Sequence, residues 1–260
     1  MSFRASLVWQ FVVFMFLAAT CRGEEFAMET KIYDGDGKQL QAENVTLFAD
    51  HEIHDFSIVP EQKVTVFDRN ARRFMLADEK HRTQASLAAE ELVRFIASER
   101  ARAETSNVAL IRFASKPEFD VSFDEETGKL EMLSKVWNYR VETERIDAAK
   151  LADYHEFAQW FTQLNALFRP LPPGIRMELN RELFERKLFP TRVQVEIKNG
   201  GKVVVRQESR HRLIPKLPNE HRLTLEKWKS QKDSLRLVPF VEYRSQQLSI
   251  VRVPDDSKQR

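Results

Sequence analysis

The chain has 260 residues, with 41 Lys or Arg against 39 Asp or Glu, and a single cysteine. One cysteine excludes a disulfide-stapled scaffold, so stability has to come from a packed core, for which the length is ample. The seven glycines form no phosphate-cradling loop.

Residues 1–23 read as a secretory signal. Arg4 supplies the positive start, LVWQFVVFMFL at 7–17 the apolar run, and Ala18, Ala19 and Thr20 the small residues that follow. The run is shorter than the roughly 18 to 20 apolar residues of a membrane span, and no later stretch reaches that length. Two cleavages compete. A cut after Gly23 places Cys21 and Gly23 where a signal peptidase reads small residues. Lipoprotein processing would cut just before Cys21, but Leu17 stands one place too early for a lipobox and Thr20 is an unusual last residue. The expected product therefore begins at Glu24, lacks cysteine, and is periplasmic or secreted. A lipoprotein anchored at Cys21 is the alternative.

Without Arg4 and Arg22 the charges balance, but unevenly. Residues 24–177 carry 20 basic and 28 acidic side chains, and residues 178–260 carry 19 and 11. The two parts either attract each other within one domain or leave a basic C-terminal surface for an anionic partner, with Arg206, Arg210 and Arg212 as its candidates.

The N-terminal third predicts strands. FAMETKIYD (26–34), the turn GDGK (35–38), NVTLFA (44–49), HDFSIV (54–59), KVTVFD (63–68) and RRFMLAD (72–78) have the β-branched and aromatic content of an antiparallel meander. A helix is expected from about Ser86, with Ser86 as N-cap. Strands are expected again at VALIRFA (108–114), FDVSFD (119–124), KLEML (129–133) and VWNYRVET (136–143). In the last of these, Trp137, Tyr139, Val141 and Thr143 share one face.

The clearest helix spans 147–168. Leu151, Tyr154, Phe157, Ala158, Trp160, Phe161, Leu164, Leu167 and Phe168 recur at three- and four-residue steps, and the Pro-rich stretch 170–173 ends it. A second helix over 175–187 turns Met177, Leu179, Leu183 and Phe184 inward. RVQVEIK (192–198), Asn199-Gly200-Gly201 and KVVVRQESRHRL (202–213) predict a hairpin in which the Asn-Gly pair supplies the positive φ angles. Beyond Pro215, LTLEKWKSQKDSL suggests a short helix and FVEYRSQQLSIVRV a last strand, with a disordered tail over 254–260. The order predicts an α+β fold: one strongly curved antiparallel sheet, a half-barrel, with helices on its concave face. Residues 24–253 form one domain, in which 213–253 is an extension.

Catalytic signatures are absent: no GxSxG, and no cysteine nucleophile once Cys21 is removed. His51 and His54 do not form a zinc-protease pattern and would face opposite ways in a strand, so no metal site is expected. His81 and His155 read as solvent-facing. His211 and His221 sit in basic surroundings that suit anion contact. Asp124-Glu125-Glu126 reads as a solvated hairpin tip. Asn44-Val45-Thr46 matches a glycosylation sequon. The aromatic helix is either ordinary core or the wall of a cavity for an apolar ligand. In the second case Tyr154, Phe157, Trp160, Phe161, Leu164 and Phe168 would line it with Trp137 and Tyr139 from a strand.

The arrangement resembles the outer-membrane lipoprotein carriers, the LolA-like fold. The local text that carries the likeness is KVTVFDRNARRFMLADEKHRTQASLAAEELVRF (63–95), paired strands with an Asp-containing turn followed by a helix. The likeness covers 26–213 in outline and transfers no binding residue. Carriers of that class are shorter, and the basic segment after Leu213 has no counterpart in them. The resemblance implies periplasmic handling of an apolar ligand or lipidated partner: a lipid, an acyl chain or a lipoprotein. Apart from it, export and the interleaving of basic with apolar residues argue against nucleic acid, and no cofactor or catalysis is expected. The other readings are an interaction protein of the cell envelope, peripheral to a membrane, that uses the basic surface, and a hydrolase with an unrecognised site.

Overall fold

The computed structural model describes residues 24–251 except Asp36, Pro60, Glu61 and Pro170. The expected signal segment and its cleavage, Cys21, and the tail 254–260 lie outside the described residues.

Twelve strands form one sheet. In chain order they are β1 (Phe26–Asp34), β2 (Leu40–Ala49), β3 (Glu52–Val59), β4 (Lys63–Asp68), β5 (Arg73–Asp78), β6 (Thr83–Ala88), β7 (Asp120–Asp124), β8 (Lys129–Leu133), β9 (Trp137–Glu144), β10 (Phe189–Asn199), β11 (Lys202–Ile214) and β12 (Arg236–Leu237). Six helices join them: α1 (Ala89–Glu104), α2 (Ala109–Ser115), α3 (Ala148–Ala166), α4 (Gly174–Arg186), α5 (Asn219–Gln231) and α6 (Phe240–Val251). The spatial order is β12-β6-β5-β4-β3-β2-β1-β11-β10-β9-β8-β7, and only the short β12–β6 pair is parallel. The chain is thus α+β. β11 returns beside β1, which joins the N-terminal meander to the second half of the chain.

Cross-strand partners point the same way, so the register assigns the faces. One row of partners runs Phe26, Phe48, Ile53, Phe67, Phe74, Leu87 across β1 to β6. α3 and α1 cover it with Leu151, Phe161, Leu164, Leu92 and Ile96, and α6 adds Tyr243. A second row on the same face runs Leu130, Val141, Val193, Ser209, Ile32 from β8 to β1. α2 and α4 cover its outer part with Ala114, Leu179 and Leu183.

The strongly curled half-barrel does not form. The sheet is open, ending on β12 and β7, and α5 lies on the opposite face, packing Leu225 and Trp228 against Phe56, Val64, Val66 and Ala77.

Four local expectations are corrected. Ser86 is not an N-cap: residues 83–88 pair with β5 as a strand, and α1 starts at Ala89, where the Glu91 carboxylate accepts the Ala88 N–H at 3.3 Å. VALIRFA forms α2 rather than a strand, a known ambiguity of short apolar runs. Within the expected last strand, FVEYRSQQLSIV (240–251) forms α6, whose inward residues Tyr243 and Gln247 stand one turn apart. The β10–β11 turn takes its positive φ angles at Gly200 and Gly201, 57° and 80°, not at Asn199.

Candidate functional site

α3 is well begun. The Asp147 side chain accepts the N–H groups of Ala149 and Lys150 at 3.0 and 3.1 Å, which caps the helix. The helix lies across β1, β9, β10 and β11 and leaves a cavity of about 360 Å³ beneath it. That volume suits one small ligand or a single chain.

The roof comes from Tyr154, Phe157, Ala158, Phe161 and Thr162 of α3, and the wall from Trp137, Tyr139, Val193 and Val195. Five of the eight sequence candidates therefore line it: Trp137, Tyr139, Tyr154, Phe157 and Phe161. The other three do not. Trp160 packs on the Phe67 and Phe74 rings with Arg72 over its own ring. Leu164 is sealed in the core, and Phe168 meets Tyr243 edge-on. One broad apolar face serves two purposes because α3 crosses the sheet between the cavity and the main core.

The floor is polar, which the hydrophobic pattern did not announce. Thr30, Asn44, Asp55, Ser209 and His211 all line the cavity. Asp55 accepts from the Asn44 amide at 2.9 Å and the Thr46 hydroxyl at 2.8 Å. Burial raises its carboxyl to about 6 against those two hydrogen bonds. Asn44 is thereby committed inside the fold and is no exposed glycosylation acceptor.

His211 stands between Thr30 and Ser209, 3.0 Å from each hydroxyl. Burial, with a smaller push from the Arg176 charge, lowers it to about 3. It is neutral, with one ring nitrogen donating and the other accepting, and not the exposed anion contact expected from sequence. The signal available in the text was the period-2 pair Ser209/His211, which puts both side chains on the covered face.

Ser209 and His211 supply a hydroxyl against an imidazole, as a nucleophile and base would. His211 Nδ1 meets Thr30 rather than a carboxylate, and an imidazole titrating near 3 is a poor base at neutral pH. The ligand atoms of His51, Glu52 and Asp68 lie within 4.8 Å of one another at the β2–β3 turn. Glu52 already pairs with His54 at 3.0 Å, and Asp68 accepts the N–H groups of Asn70 and Ala71.

The basic surface is neutralised. Arg206, Arg210 and Arg212 share the face opposite α3, but they pair with Glu196 at 3.3 Å, Glu208 at 2.6 Å and Glu29 at 2.7 Å. His81 is bound to Asp78 at 2.9 Å rather than solvated. Phe184 points outward, 62% exposed, and takes the half-buried His155 ring edge-on at 5.0 Å. Both border a second cleft of about 890 Å³ lined by α1, α3 and α4 and their connections.

Among the described residues no helix is long and apolar enough to cross a membrane. No family model matches the chain, and no curated protein matches it either.

Proposed function

We propose that this chain is an exported, non-catalytic binding protein that holds one apolar or amphipathic ligand, such as a lipid or an acyl chain, between α3 and the sheet. The single observation that carries the reading is the 360 Å³ cavity, walled by Trp137, Tyr139, Phe157 and Phe161. An interior volume of this size would normally be filled by side chains. Large aromatic side chains around an open volume with a few polar groups match the composition of small-molecule sites. The signal-like residues 1–23 support export, and the likeness to lipoprotein carriers supports the ligand class. An envelope partner for the basic strand face is the weaker reading, since Arg206, Arg210 and Arg212 each already hold a carboxylate.

The test is binding of dodecanol and of the uncharged dye N-phenyl-1-naphthylamine to the native protein, with native mass spectrometry of the purified chain for retained ligand. Saturable dye binding that dodecanol displaces is expected, and Ala166→Trp, which fills the cavity, should abolish it while the melting transition persists. No retained lipid together with no dye uptake by the wild type would reject the reading. Denatured intact mass in the same experiment locates the N-terminus and reveals any acyl group on Cys21.

A further inference from the structure

Hydrogen-bonding capacity is distributed unevenly around this cavity. Over β1, β2, β3 and β11 the polar side chains satisfy one another: Asp55 with Asn44 and Thr46, His211 with Thr30 and Ser209. Over β9, the facing part of α3 and the start of α4, donors are left in excess. The Tyr154 hydroxyl, on a residue only 2% exposed, has the Arg176 guanidinium beside it, and its own proton has no acceptor among the described residues. The buried indole N–H of Trp137 faces the Tyr139 hydroxyl without completing a well-aligned hydrogen bond among the described residues. Arg176 borders the same volume, and no ion pair ties it to a carboxylate among the described residues, unlike Arg181, Arg186 and Arg192 nearby. Arg169 adds a second guanidinium at the rim.

These groups share a chemical sense. An indole N–H and a guanidinium only donate, and a tyrosine hydroxyl has a proton to give. Buried donors without acceptors are costly, so their presence around an open volume marks a place for an acceptor. A guanidinium favours an anionic one, which it grips with two parallel N–H groups. Asp55 is the acidic group facing the cavity, and it stands on β3. Three strand spacings separate β3 from the His211 strand, roughly 14 Å at about 4.8 Å per strand.

We infer that Arg176, with Tyr154 and Trp137, binds the anionic head group, a carboxylate or phosphate monoester, of the ligand whose apolar part lies under α3. The inference rests on the binding reading above and adds the polarity and orientation of the ligand. Tyr154 and Trp137 set the head group's depth, and Arg169 screens it at the rim.

The test compares three probes with one chain length: dodecanoate, dodecyl phosphate and dodecanol, each displacing N-phenyl-1-naphthylamine at pH 7.5. The wild type should bind at least one of the anions about tenfold or more tighter than dodecanol, and the tighter anion identifies the head-group chemistry. Arg176→Gln should remove that preference while leaving dodecanol affinity within about twofold. Tyr154→Phe provides the second variant. It retains the ring packing, keeps the melting temperature, and lowers anion affinity alone. Equal affinity of the wild type for all three probes would overturn the head-group assignment while leaving the cavity reading intact. Failure of dodecanol and of both anions to displace the dye would remove the cavity reading itself. An anion preference that survives Arg176→Gln unchanged would place the recognition elsewhere and overturn the assignment to Arg176.

Discussion

Asp55 and Thr46 face each other across β3 and β2, the Thr46 hydroxyl donating to the carboxylate at 2.8 Å. Asn44 holds the other oxygen, so a carboxyl group sits in the floor of an otherwise uncharged part of the cavity. Burial raises it from the ordinary 3.8 to about 6. The sign follows from linkage: between those values the folded protein holds a proton that the unfolded chain has lost. Stability from this group therefore falls as pH rises from about 4 to about 6, by up to about 3 kcal/mol at roughly 1.4 kcal/mol per unit. Asp55→Asn removes the titration and retains a hydrogen-bonding side chain. Urea unfolding of both proteins from pH 4 to 7.5 should show the variant gaining on the wild type across that window. A constant difference would contradict the assignment.

A second buried carboxylate behaves in the opposite way. Asp78 is 1% exposed, and burial acts to raise it. Hydrogen bonds from Gln247, the His81 backbone and the His81 ring outweigh burial and hold it below the usual carboxylate range. Its contribution is present above about pH 4 and lost as pH falls below that. Gln247 donates at 2.8 Å and is the link that fastens α6 to β5. Gln247→Ala should cost about 1–3 kcal/mol. Hydrogen exchange should show protection lost first over residues 240–251. Global loosening with α6 no more affected than α3 would argue against this latch.

Glu208 explains why the Arg-rich strand β11 is not a free basic surface. It lies between Arg192 and Arg210 at 2.6 Å from each, with Gln194 at 3.2 Å. Burial acts to raise it, but these three donors bring it down to about 2. Its stabilisation is complete above about pH 4.5 and is lost as pH falls toward 2. Glu208→Gln should cost about 1–2 kcal/mol at pH 7, a low figure because both arginines reach solvent. It should also leave Arg210 without a carboxylate and Arg192 with Glu142 alone, at 3.2 Å. Binding of the variant, and not the wild type, to a heparin column would confirm that pairing masks the basic charge.

What the sequence conveyed was governed by periodicity. Short β-branched and aromatic runs between turns made β2 to β5 legible even where consecutive residues such as Leu47 and Phe48 are both buried, and three- and four-residue spacing did the same for α3 and α4. α2 and α6 were not. The seven residues VALIRFA fit a strand or a short helix equally well, and neighbours decide. Around the cavity, aromatic spacing marked Tyr154, Phe157 and Phe161, but it also swept in Trp160, Leu164 and Phe168, which share the helix face and meet the core. The polar floor was hidden because it joins β1, β2 and β3 to β11, which is distant in the chain. Thr30 and His211 are neighbours only because β11 returns beside β1.

That return leaves α2 and α4 to close the far end of the sheet, and their contact depends on Gly174. The first residue of α4 lies so close to α2 that a Cβ there would run into the Ala114 carbonyl oxygen. Ala114 is fully buried, so neither backbone has room to retreat. Gly174→Ala would in an ordinary helix be neutral or mildly favourable, since alanine is the better helix former. Here overpacking should reverse the sign and cost about 1–3 kcal/mol. The same displacement would move Ile175 and Arg176, which border the cavity two residues or fewer away. Thermal unfolding of the variant should show the loss. Dye affinity at a temperature where it remains folded should fall as well, while Gly200→Ala, at a turn with no atom within 4 Å of the added Cβ, alters stability through its positive φ and leaves binding unchanged.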